Sequence, residues 1–146
     1  MTAGPRRVIV ISHTYLDPAL RGKLRALASR GIEVTVGVPQ HWSESALGRR
    51  IDTAWGRQGA VETFPIPGRQ ARNGDLSALR YGRRPLRALL RDRRPDLVQL
   101  EESPLSHAAA DVVQAAKRLD VPLVVLTQDN VDGPTPLFAR TRRRHA

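Results

Sequence analysis

The sequence contains no cysteine, only two lysines and few aromatic residues, and it has no long hydrophobic run. Without cysteine, disulfides and thiolate zinc sites are excluded, and the chain is compatible with a reducing compartment. The apolar run Val8–Ile11 is too short for the core of a signal peptide, and no run approaches the length that spans a bilayer. We therefore expect a cytoplasmic protein, with peripheral contact to the inner face of a membrane left open.

Arginine dominates the charge of the chain. A net charge of +10 arises from 22 arginines and two lysines against 14 acidic residues. Such an excess favours an anionic partner, whether phosphate, anionic lipid or nucleic acid. However, a GC-rich genome also prefers arginine over lysine. Nucleic acid is the least favoured partner, because no aromatic platform, zinc-ligand spacing or helix-turn-helix signature accompanies the charge.

The segment 94–130 predicts a strand, a helix and a second strand. Asp96–Leu100 and Pro122–Thr127 are short apolar runs, typical of strands that are buried on both faces. Ser103 can cap the helix between them, and Pro104 suits its first position. The helix has an apolar stripe of Leu105, Ala108, Ala109, Val112, Val113, Ala116 and Leu119.

A strand, a helix and a strand of this length form a right-handed crossover in a parallel sheet. In such sheets ligands bind beyond the carboxyl ends of the strands. The residues at these ends are polar: Glu101, Glu102, Gln128, Asp129 and Asn130. The sequence therefore predicts a binding cleft at this edge.

The amino-terminal half predicts three more strands, over Arg7–Ser12, Ile32–Val38 and Ala60–Ile66. Pro65 favours an edge or terminal position for the last of them. A helix opened by Asp17 and Pro18 follows the first strand and ends at Gly31, and its buried stripe is Leu20, Leu24, Leu27 and Ala28. Residues 40–59 predict an irregular excursion with at most one helical turn.

This alternation of strands and helices predicts an α/β domain, a Rossmann-like three-layer sandwich with a mostly parallel sheet. With 146 residues, the chain has room for one domain over residues 1–146. We see no internal repeat.

Residues 67–94 form a basic segment with nine arginines and two aspartates. A helix is predicted from about Pro85, with Leu86, Leu89 and Leu90 as its apolar stripe. Its cationic face is predicted to hold Arg80, Arg84, Arg87, Arg91 and Arg94. Such a face can contact anionic lipid headgroups, and the alternative is an ordinary solvated face.

With these elements placed, the chain resembles the amino-terminal domain of GT-B glycosyltransferases, most closely glycosyltransferase family 4. The resemblance rests on RVIVISHTYLDPALRGKLRALASRGIEVTVGVP near the start and on RPDLVQLEESPLSHAAADVVQAAKRLDVPLVVLTQDN later. Leu27, Ala28, Gly31 and Val34 match one family pattern, and Arg94, Pro95, Asp96, Glu101, Glu102 and Pro104 approximate another. Two differences are that Glu101 replaces a histidine of many members, and that His13-Thr14-Tyr15-Leu16 replaces their paired glycines.

The resemblance implies an enzyme that transfers a sugar from a nucleotide sugar with retention of configuration and without an essential metal or other cofactor. In that family the amino-terminal domain holds the acceptor, a sugar or lipid-linked molecule, and a carboxy-terminal domain binds the nucleotide sugar. That second domain is not in this sequence, so we expect a fragment, a truncated product or half of a split enzyme, inactive alone. The alternative is a stand-alone, basic Rossmann-like module that binds an anionic small ligand.

The candidate acceptor-binding residues are His13, Tyr15, Glu101, Glu102, Gln128 and Asn130. Carboxylates and amides at the strand ends can bind sugar hydroxyls. Since adjacent strand residues point in opposite directions, we expect one of the two glutamates, Glu102, to face the ligand. His41 with Trp42 is a weaker candidate, and His107 and His145 are interpreted as incidental. We identify no confident catalytic residue and no metal ligand.

Overall fold

A six-stranded sheet is the centre of the fold, in a computed structural model that describes residues 6–44, 48–70 and 76–127. The helices are α1 (Gly22–Ser29), α2 (Arg83–Arg93) and α3 (His107–Arg118). The strands are β1 (Arg7–Ile11), β2 (Glu33–Pro39), β3 (His41–Glu44), β4 (Arg49–Asp52), β5 (Gly56–Gln58), β6 (Val61–Ile66), β7 (Gly68–Arg69), β8 (Arg80–Tyr81), β9 (Leu97–Leu100) and β10 (Leu123–Val125).

The strand order of the main sheet is β10-β9-β1-β2-β6-β5. Only β5 pairs antiparallel within it, and all the other pairings are parallel. From β1 the chain first moves to β2 and β6 on one side and then returns to β9 and β10 on the other. The predicted α/β architecture with a mostly parallel sheet is therefore confirmed, and its switch point lies between β1 and β9.

The two faces of the sheet bury separate apolar cores. Ile9 and Ile11 of β1 pack in the core that also contains residues of α2 and α3. Val8 and Val10 pack in the other core, which contains Leu24 of α1. This alternation is the two-residue period of a strand that is covered on both faces.

The predicted unit of strand, helix and strand is present as β9, α3 and β10, with parallel pairing of the two strands. The predicted start of its helix is wrong. The chain first makes a turn in which the N–H of Ser106 donates to the carbonyl of Ser103 (2.9 Å). Ser106, not Ser103, then caps α3, because its Oγ accepts a hydrogen bond from the N–H of Ala109 (3.0 Å). Both serines suit a cap, and the turn decides between them.

β10 was predicted to be buried on both faces, and this is wrong as well. Val124 and Val125 are 50% and 40% exposed. The physical reason is position: among the described residues, β10 has a neighbour only on the β9 side.

The segment after β1 contains the predicted cap, but its α-helix begins later in the chain than predicted. Asp17 Oδ1 accepts a hydrogen bond from the N–H of Ala19 (2.9 Å) and caps a short 3₁₀ turn, Pro18–Arg21, and α1 starts only at Gly22. Because a 3₁₀ turn has about three residues per turn, the predicted apolar stripe is shifted there. Leu20 is consequently 54% exposed, contrary to prediction, whereas Leu24 is buried. Gly31 ends the helical segment with φ +82°, as predicted.

Residues 40–59 are more regular than predicted. β3 and β4 pair antiparallel as a separate two-stranded sheet, and β5 adds to the edge of the main sheet. β6 lies inside the sheet despite Pro65. The proline is tolerated because β5 pairs only with Val61–Thr63, so no strand on that side requires the N–H that proline lacks.

The basic helix has the predicted apolar stripe, since Leu86, Leu89 and Leu90 are buried. Two of the five predicted members of its cationic face are not on it. Arg80 lies in β8 and donates to the buried carboxylate of Asp111 through Nε (3.2 Å) and Nη2 (2.7 Å). Arg94 ends the helix in the left-handed conformation, with φ 45°. No helix in the described part of the chain is long and apolar enough to cross a membrane.

Asp96 joins the beginnings of β1 and β9. Its Oδ2 accepts hydrogen bonds from the backbone N–H of Arg7 (2.8 Å) and of Arg6 (3.0 Å), which lower the pKa of the carboxyl below its ordinary value. A group whose pKa is lower in the folded state stabilises the fold above its unfolded-state pKa. That contribution is lost as the pH falls through the folded-state pKa.

Asp96→Asn should therefore lower the urea midpoint of unfolding at neutral pH, and its difference from the wild type should shrink below about pH 4. Urea titrations at a series of pH values measure both effects. Asp92→Asn is the control, because Asp92 is an exposed carboxylate whose contact with Arg91 is long (3.4 Å). A difference between Asp96→Asn and the wild type that does not depend on pH would contradict this assignment.

Candidate functional site

A cleft of about 550 Å³ opens at the carboxyl ends of β1 and β9, the switch point of the sheet. Its walls come from the loop after β1, the segment after β9 and the residues that follow β10. The lining residues are His13, Thr14, Tyr15, Leu20, Lys23, Leu76, Glu101, Glu102, Ser103, Ser106, Leu126 and Thr127. Four of the six predicted site residues lie together here. The other two, Gln128 and Asn130, lie outside the described residues.

Glu102 holds His13 at two points. One carboxylate oxygen accepts the backbone N–H of His13 (2.8 Å), and the other lies 2.7 Å from Nδ1 of the same residue. The hydroxyl of Tyr81 donates to the first oxygen (3.1 Å). Only 4% of the Glu102 side chain is exposed, so three donors surround a carboxylate that is removed from water.

This arrangement fixes the tautomer of His13. An ionised carboxylate only accepts hydrogen bonds, so Nδ1 carries the hydrogen that faces Glu102. In the neutral ring Nε2 is then an acceptor, and it has no hydrogen-bond partner among the described residues. The indole of Trp42 stacks on the ring, with centroids 5.2 Å apart and planes inclined by 15°. In its neutral form, His13 therefore presents a fixed acceptor at the wall of the cleft.

Glu101 has a different set of partners. Its carboxylate accepts hydrogen bonds from the hydroxyl of Tyr15 (2.9 Å), from Nε2 of Gln99 (2.5 Å) and from the ammonium of Lys23 (2.5 Å). Burial alone would lower the pKa of Lys23, but hydrogen bonds with Glu101 and Tyr15 outweigh it, so the pKa is raised. Lys23 is thus a cation at neutral pH, with 44% of its side chain exposed.

Both glutamates line the cleft, with 15% of the Glu101 side chain and 4% of the Glu102 side chain exposed. Which of them faces a ligand stays a prediction. β9 ends at Leu100, so the alternation of a strand does not extend to the two glutamates. The backbone at this corner is tied to β1. Ser12 Oγ donates to the carbonyl of Glu101 (2.9 Å), and the N–H of Glu101 donates to the carbonyl of Ile11 (2.9 Å). The loop after β1 and the end of β9 therefore form one unit.

The other histidine candidates are elsewhere. His41 lies on the β3–β4 hairpin and pairs with Asp52 (2.6 Å), where both side chains are more than half exposed. His107 is in the first turn of α3 and is not among the residues that line the cleft. His145 is outside the described residues. Within the described residues, no group of His, Asp or Glu side chains is arranged to hold a metal ion.

Sequence reasoning missed Lys23 and Tyr81. A signal for Lys23 existed, because the chain uses arginine at 22 of its 24 basic positions and a lysine is therefore exceptional. No sequence signal pointed to Tyr81, since it lies in a strand of only two residues. Trp42 was considered together with His41, but it contacts His13 instead.

The two tyrosines of the site are the only two in the chain, which makes their titration measurable. Burial raises the pKa of Tyr15 above 10.0, and the Glu101 carboxylate raises it further against the opposing effect of Lys23. Burial and the charge of Glu102 raise the pKa of Tyr81 well above 10.0. Both phenols should therefore ionise later than free tyrosine, with Tyr81 last.

Glu101→Gln should lower the pH at which Tyr15 ionises and leave Tyr81 unchanged, because it removes a negative charge that contacts the Tyr15 hydroxyl and not that of Tyr81. Ultraviolet difference absorbance measures phenolate formation, and Tyr81→Phe assigns the two transitions. Circular dichroism at each pH confirms that the fold persists. An early transition that Glu101→Gln does not move would contradict the contact between Tyr15 and Glu101.

Comparison with known proteins identifies the family of the chain. The family described as glycosyl transferase 4-like domain matches residues 16–146, which is most of the chain. No curated protein and no solved structure matches the chain significantly. The family match confirms the resemblance that the two sequence patterns suggested. The chain thus belongs to the glycosyl transferase 4-like family, as a domain of the amino-terminal GT-B type.

Proposed function

We propose that this domain binds the acceptor in a reaction that transfers a sugar from a nucleotide sugar with retention of configuration. The observation that carries the proposal is the His13–Glu102 pair, a fixed acceptor nitrogen at the wall of a cleft at the switch point of the sheet. A hydroxyl of the acceptor can donate to Nε2 of His13. The hydrogen bond to this fixed nitrogen then sets the position of that hydroxyl.

The chemistry of the cleft suits a molecule rich in hydroxyl groups. Glu101 provides an acceptor, whereas Lys23 provides a donor. Apolar side chains of the same cleft can contact the C–H face of a sugar ring: Leu20, Leu76 and Leu126. Lys23 of the cleft is already paired with Glu101, which weighs against the alternative of a module that binds an anionic small ligand.

The family resemblance implies that a second domain binds the nucleotide sugar. We therefore propose that the domain described here does not transfer sugar by itself. We also propose a cytoplasmic location, since a chain without cysteine needs no oxidising compartment.

The acceptor proposal predicts that simple glycosides bind and that His13 determines their affinity. Saturation-transfer difference NMR with methyl glucoside, methyl mannoside, methyl galactoside and myo-inositol measures this directly. His13→Gln and Glu102→Gln should each weaken the best of these ligands by roughly 10- to 100-fold, the value of one hydrogen bond to a charged or fixed partner. His41→Ala is the matched control, since it removes a histidine that lies outside the cleft.

Thermal unfolding followed by circular dichroism separates loss of binding from loss of the fold, which matters for the buried Glu102. If none of the four probes binds the wild type but inorganic phosphate does, the anionic-ligand alternative replaces the acceptor proposal. Equal weakening by His41→Ala would remove His13 from the site.

Retention has its own test in the assembled enzyme. The coupling constant of the anomeric proton in the first-formed product should show the same configuration as the donor sugar. An inverted product would contradict retention. Transfer by the purified domain without any partner would contradict its proposed inactivity.

A further inference from the structure

The arginines of the fold differ in whether they have a carboxylate or carbonyl partner. Arg21 is buried and donates three hydrogen bonds, to the carbonyl of Tyr15 and the hydroxyl of Thr63. Arg93 pairs with the buried Glu62, and Arg80 pairs with the buried Asp111. These arginines have structural roles that explain their presence.

A groove between α2 and α3 collects arginines without such roles. Its lining residues are Arg84, Arg87, Ala88, Arg91, Arg118 and Leu119, and we call it the arginine groove. It measures about 680 Å³. Among the described residues, Arg84 and Arg118 have no ion pair or side-chain hydrogen bond. Arg87 donates only to the carbonyl of Arg83 in its own helix (3.3 Å).

The fourth arginine of the groove, Arg91, contacts the neighbouring Asp92 at 3.4 Å, and both side chains are about two-thirds exposed. Such a pair contributes little in water. No acidic residue lines the groove itself. Four guanidinium groups of like charge therefore line one groove, whose apolar floor is Ala88 and Leu119.

Helix stability does not account for this pattern. Arg91 and Arg118 lie in the last turns of their helices, where a cation is favourable. Arg83 and Arg84 lie in the first turn of α2, where the same dipole disfavours cations. Arg83 has the buried carboxylate of Asp111 at 3.9 Å, whereas Arg84 has no carboxylate partner among the described residues. An anion bound near Arg84 would offset the unfavourable position of that cation.

We propose that the arginine groove docks phosphate groups of anionic lipid headgroups. Planar guanidinium groups form paired hydrogen bonds with phosphate oxygens, and several of them around one groove attract a negatively charged surface. The floor is aliphatic and no aromatic side chain lines the groove, so bases have no stacking platform and nucleic acid fits less well. None of its lining residues also lines the cleft, so the groove is distinct from the cleft.

Flotation with vesicles tests this inference. The probes are neutral phosphatidylcholine vesicles and vesicles in which roughly a third of the lipid is phosphatidylglycerol. The wild type should float only with the anionic vesicles, and added salt should release it because screening weakens exposed charges. Arg87→Gln/Arg91→Gln should reduce the partition coefficient roughly 25-fold, at about a factor of five for each arginine.

The matched control is Arg30→Gln/Arg57→Gln, which removes the same charge from two exposed arginines outside the groove. It should stay within about twofold of the wild type, since the proposal depends on position and not on net charge. Both double variants keep Arg140, Arg142, Arg143 and Arg144 of the carboxy-terminal segment, so a contribution of that segment is equal in both.

Three outcomes would overturn the proposal: equal flotation with neutral vesicles, equal loss in the two double variants, or no loss in the groove variant. Duplex DNA is a parallel probe. If DNA binding depends on the groove arginines while vesicle binding does not, the groove is a nucleic-acid site instead. Glycoside binding is measured on the same variants and should not change, which keeps this proposal separate from the acceptor proposal.

Discussion

The carboxylate of Glu102 is the interaction on which the cleft depends, because it is an ionisable group held away from water at the junction of two strands. An unpaired carboxylate in such a place costs several kcal/mol. Here the backbone and ring of His13 and the hydroxyl of Tyr81 satisfy it. Since these partners come from the loop after β1 and from β8, a shift of either segment would leave the charge without donors. The geometry of the loop is therefore fixed by an atom that lies 89 residues away in the sequence.

Glu101 and Glu102, which follow β9 side by side, have different surroundings. Glu102 faces the interior and holds a ring in place, whereas Glu101 faces a cation whose side chain is 44% exposed. Lys23 comes from the first turn of α1, so α1 contributes directly to the cleft. A glycosyltransferase-type role, which the family match supports, is compatible with such a wall of mixed donors and acceptors.

The sequence predicted the elements whose residues repeat with the period of a strand or helix. It missed the features that depend on contacts between residues far apart in the chain. The strands over Val8–Ile11 and Val34–Val38 were evident because both faces of each are buried, which produces continuous apolar runs. The caps were ambiguous, since Ser103 and Ser106 are chemically equal and only the turn between them decides. The β3–β4 hairpin was missed because its strands are short, polar and outside the main sheet. Gln128 and Asn130 lie outside the described residues, so their part in the site stays a prediction.

The arginines also show that helical spacing alone does not predict the partner of a side chain. A helical spacing placed Arg80 on one face with Arg84 and Arg87, yet its partner Asp111 is 31 residues away and lies on α3. Arg93, a close neighbour in the sequence, reaches Glu62 on β6 and shares that carboxylate with the indole of Trp55. Spacing indicates the direction of a side chain, whereas its role depends on which carboxylate the fold brings near.

The contact between Lys23 and Glu101 also has a consequence for chemical labelling. Amine reagents attack only unprotonated amines, and the raised pKa of Lys23 keeps its amine protonated. The only other lysine, Lys117, is exposed near the end of α3. Acylation of the folded chain should therefore be slowed at Lys23 by its contact with Glu101, and a rise in labelling of Lys23 would report loss of that contact.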